Sequence, residues 1–306
     1  MNKISIVGAG RVGEATAHLL AVREHAREVV LIDISEGAAS GTALDIQETA
    51  PILGFDTKLT GSDDPSLMAG SEVVVITAGV PRKPGMSRSD VLETNLKVID
   101  GIVGNVVKHA PDAIIIMVTN PVDVLTYHAW KSSGWDRSRV IGQAGVLDSM
   151  RMASFVSMET GFSIKDINAM VLGGHGDTMV PLPRFTTING IPVRQFIDEE
   201  PLQQLIQRTR DGGAEILALK QNSSAYDAPG AAVAEMISAM SMNRRRILPC
   251  VAILDGEYGQ SDIAMGVPVV LGQSGMESVV ELDLDREEMG AFSQSAEMVL
   301  ADLQKI

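Results

Sequence analysis

The chain has 306 residues, about twice the usual single-domain length, and its 45% hydrophobic and 21% charged composition suits two globular domains with a sizeable core. Its formal charge of −14, from 39 acidic against 25 basic residues, repels phosphate backbones and anionic lipid; nucleic-acid and membrane partners are not expected, and an anionic substrate would need a local positive pocket. A lone cysteine, Cys250, excludes an intrachain disulfide and a Cys-rich zinc site and fits a reducing compartment.

The chain opens on an apolar run that a glycine motif ends by Gly8, with Arg11 and Glu14 interrupting what would be the core of a leader. No apolar run approaches the roughly 18 residues of a membrane span, and a cytoplasmic location is expected. Short β-branched runs then alternate with helical stretches: KISIVG at Lys3–Gly8, EVVLID at Glu28–Asp33, EVVVITAG at Glu72–Gly79, AIIIMVTN at Ala113–Asn120 and RVIG at Arg139–Gly142. Near-continuous apolar strands with helix-length crossovers predict a doubly wound parallel α/β sheet, with ligands bound at the strand C-termini. After about Ala144 the rhythm changes. A helix near Val146–Thr160 precedes the strand-like runs NAMVLGG, VPLPRFTTI and IPV, the last two joined by the hairpin signal Asn189-Gly190. CVAILD, PVVLG and SVVEL follow. A closing helix is announced by the capping pair Asp285 and Glu288 and by Met289, Phe292, Ala296, Val299 and Leu303 at helical spacing. This divides the chain into residues 1–144 and 145–306, and without a flexible linker the halves should pack intimately.

GAGRVG sets Gly8, Gly10 and Gly13 in a G-x-G-x-x-G pattern between a strand and a helix. Alone it also occurs in structural turns, but Asp33 ends the next strand twenty residues after Gly13, where a carboxylate holds a ribose 2′-hydroxyl and repels a 2′-phosphate. NAD is therefore expected over NADP. ITAGVPRKPGMSRSD gathers Arg82, Lys83 and Arg88 in a loop that could close on an anion, or simply expose solvated charge. VTNPVD ends a strand, and its Asn120 could bond near a nicotinamide or only shape a turn. GVLDSMR puts Asp148 and Arg151 on one helix face, by itself an ordinary ion pair. His175 lies in the glycine-rich GGHGD loop and suits proton exchange at neutral pH, whereas His18, His25, His109 and His128 fall in predicted helices. No ligand spacing suggests a metal. The Arg244–Arg246 run reads as a helix C-terminus, the Met236 and Met240 pair as packing, and Cys250 as buried and inert.

These segments resemble the lactate/malate dehydrogenase family, most closely its lactate-dehydrogenase-like malate dehydrogenase branch. GAGRVG, ITAGVPRKPGMSRSD, VTNPVDVLTY, GVLDSMR, GGHGDTMVPLPR, AYDAPGAA and RRILPC occur in family order along the chain. The resemblance implies a Rossmann domain followed by a mixed α+β substrate domain, and a loop from about Val80 to Asp90 that closes over the site. It implies catalysis by His175, Asp148 and Arg88: His175 exchanges the proton, Asp148 orients it, and Arg88 polarises the reacting oxygen. Arg151 would grip the first carboxylate of the substrate and Arg82 the second, so a four-carbon dicarboxylate, malate or oxaloacetate, is expected. Asn120 would lie near the nicotinamide and the substrate oxygen, and Asn95 and Val118 join Gly8, Gly10, Gly13 and Asp33 in holding NAD. A homodimer or homotetramer and a place in the tricarboxylic acid cycle are likewise implied. Asp227 departs from an aromatic position of close relatives, and Ala225 stands where lactate enzymes carry a small hydroxyl residue. The alternatives are a lactate or other 2-hydroxy-acid dehydrogenase, with Arg82 turned away, and a non-catalytic NAD-binding protein on the same fold.

Overall fold

The computed structural model describes residues 1–80 and 88–306, with the backbone alone for 88–90. The parallel strands β1 (Lys3–Val7), β2 (Glu28–Ile32), β3 (Lys58–Ser62), β4 (Val73–Ile76), β5 (Ile114–Met117) and β6 (Val140–Gly142) lie in the spatial order β3-β2-β1-β4-β5-β6. Order reverses between β1 and β4, where loops leaving the two strands diverge and open a crevice. The crossovers carry α1 (Arg11–Val22), α2 (Glu36–Glu48), α3 (Ala50–Leu53), α4 (Arg88–His109) and α5 (Val122–Ser133).

VVVI of β4 and IIIM of β5 are buried throughout because helices cover both faces of the sheet. Alternate residues serve two cores: Ile4 and Ile6 pack with Leu20 and Ala17 of α1, while Val7, Val74 and Ile76 pack with Ile99, Val103 and Leu125 from α4 and α5. Strand β3 had no apolar signal. It is the edge strand, largely open to solvent, and α2 rides so close that a side chain at Gly61 would stand 2.1 Å from the Ala39 carbonyl oxygen.

The second half begins with α6 (Gly145–Thr160) and the short strands β7 (Ile167–Asn168), β8 (Val171–Leu172), β9 (Val180–Pro181), β10 (Thr187–Ile188) and β11 (Ile191–Pro192). NAMVLGG and VPLPRFTTI are thus broken into pieces rather than continuous strands. The β10–β11 hairpin turns at Asn189 and Gly190, both at positive φ (49° and 81°), as the dipeptide predicts. Helices α7 (Glu199–Lys220) and α8 (Asp227–Ser241) follow, then the antiparallel β12 (Arg246–Asp255), β13 (Ser261–Gly272) and β14 (Gly275–Val279), and α9 (Arg286–Leu303). SVVEL contributes only its first two residues to β14, although the Val280 amide still donates to Pro268 O of β13 at 2.8 Å. The expected capping box of Asp285 and Glu288 is present, and Phe292, Ala296 and Val299 are buried.

Strand β12 pairs with β6 through Val251 opposite Gly142, so the antiparallel strands extend the parallel ones into one nine-stranded sheet among the described residues. Helix α8 covers the β1 side beside α1 with Met236 and Met240 inside, while α6 and α7 enclose a smaller core of Met152, Val156, Leu205 and Ile206. Cys250 is fully buried, and burial pushes its thiol up to about 12. The arginine run lies just past α8, where Arg245 pairs with Glu277 and Arg246 with Glu235. His25 departs from the helical expectation: it follows the end of α1 and is 4% exposed, with neither ring nitrogen partnered among the described residues.

Candidate active site

At the crevice, the Gly8 amide donates to Ile32 O at 2.7 Å, and the Thr77 and Ala78 amides both donate to Val7 O at 2.9 Å. Gly8 takes φ 112°, and a side chain there would strike Ala78 N at 2.6 Å; at Gly13 it would lie 1.9 Å from Gly8 O. These two contacts fix the turn against α1. At Gly10, the N-cap of α1, an added Cβ meets nothing within 4 Å, and no side chain caps the helix, so its first-turn amides face open space. Asp33 closes the cradle by accepting the Ala9 amide at 2.8 Å and the Ser35 amide at 3.0 Å. This arrangement fits a pyrophosphate with an acidic group at the adjoining ribose position.

A cavity of about 770 Å³ runs from this turn to His175. It brings together Gly10, Gly13, Asn95, Val118, Asn120 and His175 from the sequence expectations. Asn95 is buried, accepting the Val80 amide at 2.8 Å and donating to Asn120 O at 3.0 Å, so it ties the ends of the β4 and β5 loops together. Asn120 is exposed to the cavity, and its carboxamide oxygen accepts the Val122 amide at 3.3 Å. Gly8 and Asp33 stand beside the cavity, Asp148 and Arg151 behind His175. Arg82, Lys83 and the side chain of Arg88 lie outside the described residues, as does most of the expected closing loop.

His175 bonds through Nδ1 to Asp148 Oδ2 at 2.9 Å, leaving Nε2 as the ring nitrogen available to a reactant. Arg151 donates from Nη1 to the other oxygen, Oδ1, at 3.0 Å. Asp148 is 2% exposed, so one carboxylate bridges an imidazole and a guanidinium out of water. Burial works against the imidazolium, but the charge of Asp148, its hydrogen bond and the charge of Asp123 outweigh it, raising the His175 pKa above the ordinary value. The imidazole therefore keeps its proton more firmly than a free histidine does.

Asp123 had no assigned role. Its Oδ2 accepts the His175 amide at 2.8 Å, while Oδ1 is buried without a partner among the described residues, and burial pushes its carboxyl up to about 6 against the opposing bond from that amide. A carboxylate within the otherwise apolar PVDVLTY stretch was the available signal. Helix α9 adds a second hold on the loop: Ser295 Oγ accepts the Gly174 amide at 2.9 Å and donates to Thr178 Oγ1 at 3.2 Å. Asp227 lines a separate cavity with Arg11, Glu14 and His18, rather than the His175 cavity. Among the described residues no helix is long and apolar enough to cross a membrane, and no group of three or more His, Cys, Asp or Glu side chains is placed to hold a metal.

Residues 2–142 match the NAD binding domain of lactate/malate dehydrogenase, and residues 145–306 its alpha/beta C-terminal domain. The chain is 61% identical over 306 residues to the malate dehydrogenase of Thioalkalivibrio sulfidiphilus, covering 100% of both. The malate dehydrogenase structure of Salinibacter ruber superposes with a TM-score of 0.95 at 46% identity, covering 99% of this chain and 97% of that one. A lactate dehydrogenase from Cryptosporidium parvum, solved with lactic acid and NAD, reaches the same TM-score at 35% identity, covering 99% and 97%. Backbone shape is thus common to lactate and malate chemistry. Two tandem family models and identity extending over the full length lead to one assignment: this chain belongs to the lactate/malate dehydrogenase family.

Proposed function

We propose that the chain is an NAD-dependent malate dehydrogenase, interconverting (S)-malate and oxaloacetate by reversible hydride transfer. The carrying observation is His175 held on Asp148 at the wall of a cavity that runs to the glycine turn, with Arg151 on the second oxygen of the same carboxylate. When bound, NAD supplies the hydride acceptor and NADH the donor. Gly8, Gly10, Gly13, Asp33, Asn95 and Val118 would hold that group, and Asn120, on the cavity wall, would bond near the nicotinamide and the substrate oxygen. His175 Nε2 takes the C2 hydroxyl proton during malate oxidation and returns it during reduction, while Asp148 fixes the tautomer and favours imidazolium. Arg151 grips the carboxylate next to the reacting carbon, and Arg88 polarises the C2 oxygen. Arg82 pairs with the distal carboxylate.

The 61% identity to a protein named malate dehydrogenase supports the dicarboxylate, since the fold serves both chemistries. The same reading divides the protein into a cofactor domain of residues 1–144 and a substrate domain of 145–306. It places a homodimer or homotetramer in the cytoplasm, at the malate step of the tricarboxylic acid cycle.

The test compares NADH oxidation with oxaloacetate and with pyruvate, with NADPH as control, for the parent and for Arg82→Gln. Oxaloacetate should be preferred by at least about 100-fold in kcat/KM, and Arg82→Gln should cost it far more than pyruvate. Preference for pyruvate would make the chain a lactate-type enzyme. Turnover of neither would leave an NAD-binding protein without this chemistry.

A further inference from the structure

Helix α7 carries consecutive glycines, Gly212 and Gly213, in its interior, and neither adopts positive φ. Glycine is the poorest helix former after proline, so a pair that makes no turn calls for a packing reason. Gly212 is buried against α6. A Cβ built there would stand 3.1 Å from Arg151 Cδ, 3.4 Å from Nε and 3.9 Å from Cγ; one at Gly213 would stand 3.7 Å from Nη2. The Arg151 side chain, 11% exposed, therefore lies flat across a notch in α7. Its tip is tethered from Nη1 to Asp148 at 3.0 Å, and Nε is buried without a partner among the described residues.

We propose that Gly212 is a positioning residue for the substrate-carboxylate grip: the missing side chain lets the Arg151 stem seat in α7, so that its guanidinium faces the carboxylate in plane while still bonded to Asp148. This deepens the dehydrogenase reading and rests on it. An added methyl at 3.1 Å forces something to yield by a few tenths of an ångström. The atom that yields is in the Arg151 stem, because the nearest atoms to that methyl, Cδ, Nε and Cγ, all belong to this one side chain while Gly212 sits on a helix backbone. With Nη1 tethered, the displacement becomes a tilt of the guanidinium plane, and a planar fork loses its two-point match to a carboxylate when tilted. NAD binding, on the α1 side of the cavity, is untouched.

The experiment compares the parent, Gly212→Ala and Gly290→Ala as purified full-length proteins. Gly290 is an exposed position of α9, where an added Cβ meets nothing within 4 Å among the described residues, so it reports the intrinsic helix gain of glycine to alanine. Three quantities are read: KM for oxaloacetate, NADH affinity by fluorescence, and Tm. Gly212→Ala should raise KM about five- to tenfold, keep NADH affinity within about twofold and match or exceed the parent Tm, while Gly290→Ala changes KM less than about twofold. Unchanged KM with a raised Tm would overturn the proposal, as would joint loss of KM, NADH affinity and Tm, which marks a merely structural glycine. If the parent turns over pyruvate rather than oxaloacetate, the dicarboxylate reading fails separately. KM for pyruvate then tests Gly212, because the carboxylate next to the reacting carbon is common to both substrates.

Discussion

On the α1 side of the cavity the groups that face a ligand are backbone amides, set by glycines within the six residues GAGRVG. On the His175 side they are side chains, His175 from the loop after β8 and Asp123 from α5, backed by Asp148 and Arg151 of α6. The first region is sensitive to volume, since any atom added at Gly13 meets a carbonyl oxygen that cannot retreat. The second is sensitive to charge, since two buried carboxylates and a guanidinium set the proton on one imidazole. The two regions should therefore fail in opposite ways.

The largest effect is expected at the charged side. His175→Asn should lower oxaloacetate turnover by about 10³- to 10⁴-fold while NADH fluorescence titrations stay unchanged. Turnover within tenfold of the parent would remove His175 from proton transfer. At the backbone side, Gly13→Ala places a methyl 1.9 Å from Gly8 O, and NADH affinity should fall about 100-fold in the same titration. Parent-like affinity would show that the cradle is not where the cofactor binds.

Asp123→Asn separates charge from shape beneath His175. The Asp123 carboxyl, pushed up to about 6, is anionic at neutral pH, where its charge and that of Asp148 favour imidazolium. Oxaloacetate reduction needs that proton. The variant should lose activity at a lower pH than the parent, with kcat/KM down about tenfold at pH 8. A basic limb that does not move would mean that Asp123 only anchors the loop.

The smallest effect lies outside both regions, at His25. Burial lowers its pKa below 6.5, helped by Arg23, Arg244 and the N-terminal amine. The unfolded chain takes up a proton near 6.5 that the native fold resists, so this contribution to stability is present above that pH and is lost as pH falls through the folded pKa. Denaturant midpoints of His25→Leu should fall less steeply than those of the parent between pH 7.5 and 5. Parallel slopes would place the proton elsewhere.

The sequence announced the backbone-built region more fully than the charged one. GAGRVG and Asp33 lie close to consecutive buried strands, so local pattern and tertiary outcome coincide. Asp148 and Arg151 read locally as an ordinary helix pair; their meeting with His175, 27 positions away, depends on how β8 returns past α6. Asp123 and Ser295 escaped because burial of a carboxylate or a hydroxyl is decided by elements distant in sequence. β3 escaped for the converse reason: an edge strand with a glycine pressed beneath α2 has no apolar face to advertise. His25 misled because helical spacing continues past the last turn of α1.

The bond from Gly174 to Ser295 spans 121 positions of chain. On a ribosome adding about 5–20 residues each second, the cradle's residues emerge long before Ser295 does. For seconds to tens of seconds the nascent chain has the parts for holding a dinucleotide, while the His175 loop still lacks its clasp from α9. Competence for chemistry thus arrives late in synthesis, with the segment that carries Ser295.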